Sequence, residues 1–395
     1  MKAISRYITL EGNIKALAFQ MFVSQIGFGM VYTVWQPFIL STGLSVSELG
    51  LIQSVINTTT ALGLILWGQL SDRFGRKPVL LMSDVCRLVA TVIVIFSGSF
   101  QALLIFAFFV GLSAMWMVPN PARNALIAES VDEGRMGVAY STLMAVSQIT
   151  STVMASAGGY IAVIAGYSPI FYVTLIGTGI GLVTNVVYLR ETLVPHNDKN
   201  SIKTSLSRQI RGVLIPEGRV WDFYLILIIN GFGYTTAYSI LYGTLVDRFG
   251  FSPFQIGLIS TSFSLGWGVM SIPVGNLTEK LERRKSLLAS WVLAVVTALG
   301  FILSRNLAGF MLFEVVSALD ISFWHPAWSS LLAEKVSVNE RSTVFGKIEA
   351  YAKIVGIPAP WLAGLLYEQY GFTAPIYVKL ICLGCSFFLI FRIKS

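Results

Sequence analysis

The chain of 395 residues is 55% apolar and 12% charged, whereas a soluble domain carries about 25% charged residues; its mean hydropathy is +0.72. This composition excludes an ordinary soluble enzyme, and the 26 Phe, 9 Trp and 35 Gly suit helices anchored at membrane interfaces and packed closely together. The net charge of +8 is spread along the chain without a basic stripe interleaved with aromatics, so no nucleic-acid partner is expected.

The chain opens with a 13-residue stretch carrying Lys2 and Arg6 ahead of a long apolar segment and shows no small-residue cleavage pattern, which predicts a retained first membrane helix rather than a signal peptide. Apolar runs long enough to cross a bilayer, about 20 residues each, fall near 14–40, 47–71, 78–98, 101–127, 136–164 and 168–190. Six more lie near 220–247, 253–278, 285–304, 307–334, 342–368 and 372–392. The expected fold is an all-α membrane protein of twelve transmembrane helices. Its predicted parts are an N-terminal six-helix bundle (1–190), a polar linker (191–219) and a C-terminal six-helix bundle (220–395). Placing the connections alternately on two sides leaves Arg248 and Arg305 as the basic residues of one side, with the rest of the loop Lys and Arg on the other. The positive-inside rule then puts both termini and the linker in the cytoplasm, and anionic lipid headgroups are expected neighbours of that face. Cys86, Cys382 and Cys385 sit in apolar runs. The Cys-x-x-Cys at 382–385 lacks a second ligand pair, so neither a metal site nor a cofactor is expected.

The halves repeat. A shift of 207 lays residues 44–81 on 251–288, matching Gly50 with Gly257, Gly68 with Gly275, Leu70 with Leu277 and Arg76 with Arg283, while Asp72 falls on Glu279. Both segments open with a helix-start signal, Ser45 to Glu48 and Ser252 to Gln255, the second with Pro253 at the first helical position. A shift of 205 pairs PARNALIAE (121–129) with PAWSSLLAE (326–334), and GYSPIF (166–171) matches GFTAPIY (371–377) around one inserted residue. Two parallel six-helix repeats are the arrangement of a transporter whose halves rock about a midplane site.

The stretch GQLSDRFGRKPVLL (68–81), between the second and third helices, carries Gly68, Asp72, Arg73, Gly75, Arg76 and Lys77. It resembles the signature loop of the major facilitator superfamily, and GNLTEKLERRKSL (275–287) is its weaker second copy. The segment PARNALIAESVDEGRMGVAYS after helix four is similar to the drug-efflux branches of that family. Antiporters of the family carry a Gly-Pro motif in helix five. Here TSTVMASAGG (150–159) keeps Gly158 and Gly159 without the proline, and GIPAPWLAG (356–364) in helix eleven resembles the motif in the other half.

Topology alone explains Arg73, Arg76 and Lys77, but not Asp72. An acid at a helix C-terminus faces the negative end of the dipole, an unfavourable placement of roughly 0.3–1 kcal/mol. Glu129, Glu279 and Glu334 repeat that placement. The resemblance implies that Asp72 faces the start of helix eleven and that Arg76 pairs with Glu129. With Arg283 as the second copy of Arg76, the cluster would latch the cytoplasmic side shut. Gly68 is expected to permit close helix approach, and Gly75 a left-handed turn.

Charged residues at mid-bilayer cost about 2.5–3.5 kcal/mol each and call for a partner, water or a function. Helix ten holds Glu314, Asp320 and His325, and helix eleven holds Glu349 and Lys353. Asp320 and Lys353 lie at matching depth, either as a static salt bridge or as a pair released by a proton or a substrate charge. His325 beside Trp324 and Pro326 is either a proton relay or a packed neighbour of a kink. Arg123 either binds an anionic group or snorkels to the headgroups. Asp84 and Arg87 most simply satisfy each other, and Glu314 and Lys379 form a candidate structural pair. The resemblance implies a cavity lined by helices one, four, seven and ten, and hence by Gln25, Tyr32, Trp35, Gln36, Trp116, Asn120, Asn230, Tyr234, Tyr238 and Trp324.

The chain is expected to be a secondary active transporter of the cell membrane. It would move a small organic molecule by alternating access with protons as the coupling ion, and drug/proton antiport is the favoured form. Proton symport or facilitated uptake of a small metabolite is the alternative, and a non-transporting receptor a further one. An enzyme is not expected, since the sequence shows no phosphate loop, nucleophile elbow or clustered metal ligands. A monomer with a small-molecule substrate, protons and lipids as partners completes the reading.

Overall fold

A computed structural model of the chain describes residues 10–96, 98–113, 120–132, 135–193, 218–337 and 340–390, without the side chains of 219, 279 and 341–343. Among the described residues seven α-helices precede the linker: α1 (Gly12–Ser41), α2 (Val46–Phe74), α3 (Arg76–Phe96), α4 (Phe100–Leu112), α5 (Pro121–Glu129), α6 (Met136–Ala165) and α7 (Ser168–Tyr188). Eight follow it: α8 (Trp221–Tyr238), α9 (Leu241–Phe249), α10 (Pro253–Lys280), α11 (Arg283–Leu303), α12 (Leu307–Lys335), α13 (Arg341–Val355), α14 (Ala359–Tyr370) and α15 (Thr373–Ile390). With α8 and the abutting α9 taken together, ten helices among the described residues are long and apolar enough to cross a membrane, and α4 is a shorter apolar helix. Three expected spans are divided. The span 101–127 becomes α4 and α5, 220–247 breaks at Ser239 and Ile240, and 342–368 breaks at Gly356–Pro358. Proline explains the last break, where Pro358 precedes α14, and Pro121 opens α5.

Side chains on the outside of the helices are apolar. Phe96, Ile272, Leu303 and Phe388 are each more than 70% exposed, a surface that suits lipid and not water. Because lipid is as apolar as these side chains, packing and hydrogen bonds, not burial from water, hold the helices together. In the first unit (1–44, 55–195 and 251–258), α1 packs along α6 and α7, and α3 along α4, α5 and α7. Ile14, Leu17, Trp67, Val79 and Leu126 share its core, and the Trp67 indole donates to the Leu112 carbonyl at 2.6 Å. In the second unit (45–54, 196–250 and 259–395), α8 packs along α13, α14 and α15, and α11 along α12 and α15. Phe223, Tyr224, Trp291, Trp328 and Leu383 form its core, with the Trp291 indole donating to Leu383 O at 3.0 Å.

Both predicted helix starts are reciprocal capping boxes. Ser45 N donates to Glu48 Oε2 at 2.8 Å and Glu48 N to Ser45 Oγ at 3.3 Å. Ser252 N donates to Gln255 Oε1 at 2.9 Å and Gln255 N to Ser252 Oγ at 3.3 Å. Each start then meets another backbone through glycines. In the second unit a Cβ on Gly50 would lie 2.3 Å from Pro360 O, and one on Gly364 would lie 2.5 Å from Ser47 Cα. In the first unit a Cβ on Gly159 would lie 2.3 Å from Pro253 O, and one on Gly257 would lie 2.8 Å from Ala155 O. Gly50 and Gly257 are repeat partners at a shift of 207, and Gly159 and Gly364 at 205, so the same two-glycine contact is built twice.

Candidate functional site

The polar interior of the second unit starts on α8. Asn230, Tyr234 and Tyr238 recur every four residues and so share one face of the helix. Gly233, whose added Cβ would lie 2.6 Å from Cys382 Cβ, lets α15 approach closely. That approach brings in Lys379, 2% exposed. Its ammonium donates to Asn230 Oδ1 at 2.9 Å and lies 5.3 Å from the centroid of the Tyr234 ring, a cation over an aromatic face. Tyr234 meets Tyr238 edge to face at 5.0 Å, and the buried Tyr238 hydroxyl makes no hydrogen bond. From the other side α11 presents Ser290, whose hydroxyl donates to Asp320 Oδ1 on α12 at 2.6 Å. Asp320 and Lys379 interact electrostatically, while their hydrogen bonds go to neutral partners. Glu314, also on α12, is buried as well. An acid, a cation and a second acid thus sit inside one helix bundle, where adding or removing a single proton changes the local charge in a low dielectric.

The other predicted residues are distributed differently. Lys353 and Glu349 are exposed on α13, so matched depth does not pair Lys353 with Asp320; the cation beside Asp320 is Lys379. His325 is exposed and interacts electrostatically with Glu349. The Trp324 ring stacks on Trp328 at 5.0 Å and tilts against Trp291 at 5.4 Å, a core position. The expected Glu314 partner of Lys379 is replaced by Asn230. In the first unit Asn120 is the N-cap of α5, its Oδ1 accepting from Ala122 N at 2.9 Å, and Arg123 has a buried Nε without a hydrogen bond. On α1, Trp35 and Gln36 are buried and Gln25 and Tyr32 half-buried. Trp116 lies outside the described residues.

The charged loop between α2 and α3 forms a second site. Gly75, at φ +106°, turns the chain out of α2, and α3 begins at once with no capping side chain of its own. Glu191, just after α7, supplies the cap from a distance: its carboxylate accepts from Arg76 N at 2.9 Å and Lys77 N at 3.0 Å. The same carboxylate accepts from Thr192 N and Leu193 N, each at 2.9 Å. Arg76 Nη1 donates to Asp72 Oδ1 at 2.5 Å and Ser71 Oγ at 3.0 Å, and Nη2 to Glu129 Oε1 at 2.9 Å. Thr192 Oγ1 closes the network on Glu129 Oε2 at 2.5 Å. Burial pushes the Glu129 carboxyl up, but hydrogen bonds from Arg76 and Thr192 outweigh it and hold the group below its ordinary value. At Glu191 burial is likewise outweighed by the backbone donors, with the same result.

Lys77 Nζ donates to Val186 O at 2.8 Å, and Arg73 lies over the Phe74 ring. In the second copy Arg283 pairs with Glu334, both about half exposed; the Glu279 side chain lies outside the described residues. Gly68 departs from expectation. A Cβ there would lie 3.9 Å from Pro121 Cβ, an ordinary contact, and at Gly275 it would meet open space. Sequence reasoning missed Glu191, Thr192 and Ser290. The one available signal was a helix start at Arg76 with no Ser, Thr, Asp or Asn before it.

The chain is 24% identical over 383 residues to multidrug resistance protein 2 of Bacillus subtilis (strain 168), covering 93% of this chain and 92% of that one. It is 22% identical over 401 residues to the multi-drug resistance efflux pump PmrA of Streptococcus pneumoniae (strain ATCC BAA-255 / R6), covering 96% and 95%. Among solved structures, a bacterial homologue of the iron transporter ferroportin in the inward-facing state shares the fold, with a TM-score of 0.76 at 14% identity over 97% of this chain and 98% of that one. A mutant of the nucleoside transporter NupG does so with a TM-score of 0.72 at 14% identity, covering 96% and 98%. The family pattern matches residues 17–243 and 223–395, and the chain belongs to the Major Facilitator Superfamily.

Proposed function

We propose that this transporter exports small organic molecules across the cell membrane by alternating access, in exchange for protons. The observation that carries the reading is Asp320 held by the neutral Ser290 beside the buried Lys379, and similarity to multidrug resistance proteins supports the cargo class. A proton on Asp320 removes the negative charge near Lys379, so protonation biases whichever conformation tolerates a lone cation there. Glu314 is a second candidate acid and Tyr234 and Tyr238 a candidate aromatic wall. Uptake by symport or facilitation is the alternative, favoured by the missing Gly-Pro in helix five.

In this reading twelve spans form two bundles, 1–190 and 220–395, with the linker and both termini cytoplasmic, and the monomer works without cofactor or metal. The Asp72, Arg76 and Glu129 network is the cytoplasmic latch, and Asp72→Asn shifts the population toward the inward-open state in spin-label distance measurements. Transport is tested in proteoliposomes with an imposed pH gradient across a compound panel. Gradient-driven accumulation by wild type and its loss in Asp320→Asn are the expected results. Full retention in the variant removes Asp320 from coupling, and binding without flux overturns transport.

A further inference from the structure

The charge count along the sequence sets Arg248 and Arg305 apart from the other loop Lys and Arg, and the second unit brings the two residues to one cavity. The cavity lies at the end of α11 remote from Arg283. Its volume is about 580 Å³, within the range of roughly 300–1,000 Å³ for small-molecule sites. Three turns held by caps build its walls. α9 ends in Asp247, Arg248 and Phe249, where Gly250 at φ +67° stops the helix and its N–H donates to Val246 O at 2.9 Å. Gly371 at φ +87° closes α14 after Tyr367, Glu368 and Tyr370, its N–H donating to Tyr367 O at 2.8 Å. Arg305 stands between Ser304, which ends α11, and Asn306, whose Oδ1 caps α12 by accepting from Gly309 N at 2.9 Å. Phe249 meets Phe310 and Phe372 edge to face, each at 5.1 Å, and gives the cavity an aromatic wall.

Two guanidiniums and two carboxylates line this space, and all four residues are exposed. Among the described residues none of the four forms an ion pair. Asp247 Oδ2 instead accepts from the Tyr367 hydroxyl at 2.5 Å, and Glu368 Oε1 from Ser47 N at 2.8 Å. Arg305 commits Nη1 to Ile302 O and Ser304 O, at 2.8 and 3.0 Å, and keeps Nε and Nη2 for an occupant. Arg248 has no hydrogen-bond partner among the described residues. An anion entering the cavity would gain the arginines but meet the acids, and a cation would meet the reverse. A molecule that carries both signs avoids this conflict. A carboxylate fits the flat fork of a guanidinium, an ammonium can donate to the free oxygens Asp247 Oδ1 and Glu368 Oε2, and the Phe249 wall takes an apolar side chain.

We infer that this cavity binds a zwitterionic amino acid with an apolar or aromatic side chain, its carboxylate on Arg248 and Arg305 and its ammonium on Asp247 and Glu368. The site shares no residue with the group around Asp320 and Lys379, so its occupancy is separate from coupling. The test is calorimetric titration of L-phenylalanine into purified full-length protein in detergent. Saturable binding of one molecule per chain is expected. L-Phenylalaninamide, which lacks the acid, and 3-phenylpropionate, which lacks the amine, each bind at least about tenfold more weakly, the loss for a hydrogen bond to a charged group. Arg248→Gln removes a side chain with no partner to lose, so the fold is kept; it weakens phenylalanine binding by a similar factor and narrows the gap between phenylalanine and its amide. Asp320→Asn leaves binding unchanged. Absence of saturable binding by folded wild type overturns the inference, as does equal binding of phenylalanine and either half-ligand. Binding that survives Arg248→Gln but is lost in Asp320→Asn would put the amino acid in the transport site and overturn it as well.

Discussion

Lys379 on α15 gives its ammonium to the amide oxygen of Asn230 on α8, 2.9 Å away, so a buried cation rests on a neutral partner. Replacing Asn230 with Ala strips that partner from a charge that has no water to turn to. The expected loss is about 1–3 kcal/mol, the cost of an unsatisfied buried group, read as a lower Tm of the detergent-solubilised protein. Asn230→Asp keeps the acceptor and adds charge, and it recovers most of the loss. Equal Tm values for Asn230→Ala and wild type would show that Lys379 is solvated instead.

Glu191 caps α3 across the sequence, and Glu191→Ala costs about 0.5–2 kcal/mol, the range for losing a helix cap. Its carboxyl is held below the ordinary value in the folded protein. The contribution is therefore complete above about pH 4.3, the unfolded value, and disappears as the pH falls through the lower folded value. A Tm series from about pH 6 down to about pH 3 should converge for wild type and Glu191→Gln at the acid end. A constant gap throughout that range contradicts the assignment.

Gly50 and Gly159 face carbonyl oxygens, Pro360 O and Pro253 O, each 2.3 Å from an added Cβ. Backbone cannot yield as a flexible side chain can, so Gly50→Ala and Gly159→Ala weaken these packed helix starts by about 1–3 kcal/mol. That corresponds to roughly five- to a hundredfold in the population of the packed arrangement, measurable by spin-label distances between residues near Ser47 and Gly364, or near Ala155 and Gly257. Gly275→Ala, which meets open space, is the control and leaves the distances unchanged.

Arg76 and Arg283 are repeat partners with unequal surroundings. Arg76 is one-tenth exposed and serves Asp72, Ser71 and Glu129 together, whereas Arg283 is 45% exposed and pairs with Glu334. Lysine cannot reproduce the forked contacts of Arg76. Arg76→Lys is expected to lower stability by about 1–3 kcal/mol, and Arg283→Lys by less than about 1 kcal/mol, as for an exposed pair. Thermal melts of the two variants in one buffer decide it; equal losses would mean that the loop network adds nothing.

The repeat, the helix starts at Ser45 and Ser252 and the pairing of Arg76 with Glu129 were legible because each is local or carried by a motif. The partner of Asp320 was not. Counting along helices fixes depth but not the direction in which a side chain points, so Lys353 matched Asp320 in height yet is exposed, while Lys379 acts on Asp320 from α15. Glu191 escaped for a related reason: it acts 115 residues from Arg76, and no periodicity links a linker residue to a distant helix start. Asp84 and Arg87 show the limit of local spacing, since one turn brings the two residues together but does not reveal that Asn185 already occupies the acid.

The grouping of residues 45–54 with the second unit and 251–258 with the first gives the duplicated halves a mutual dependence. Severed at the linker, neither product would be a self-sufficient module, because each would display a capped helix start whose glycine-lined neighbour is encoded on the other fragment. Co-produced fragments would have a built-in reason to reassemble, and a fragment made alone would offer that start to proteases.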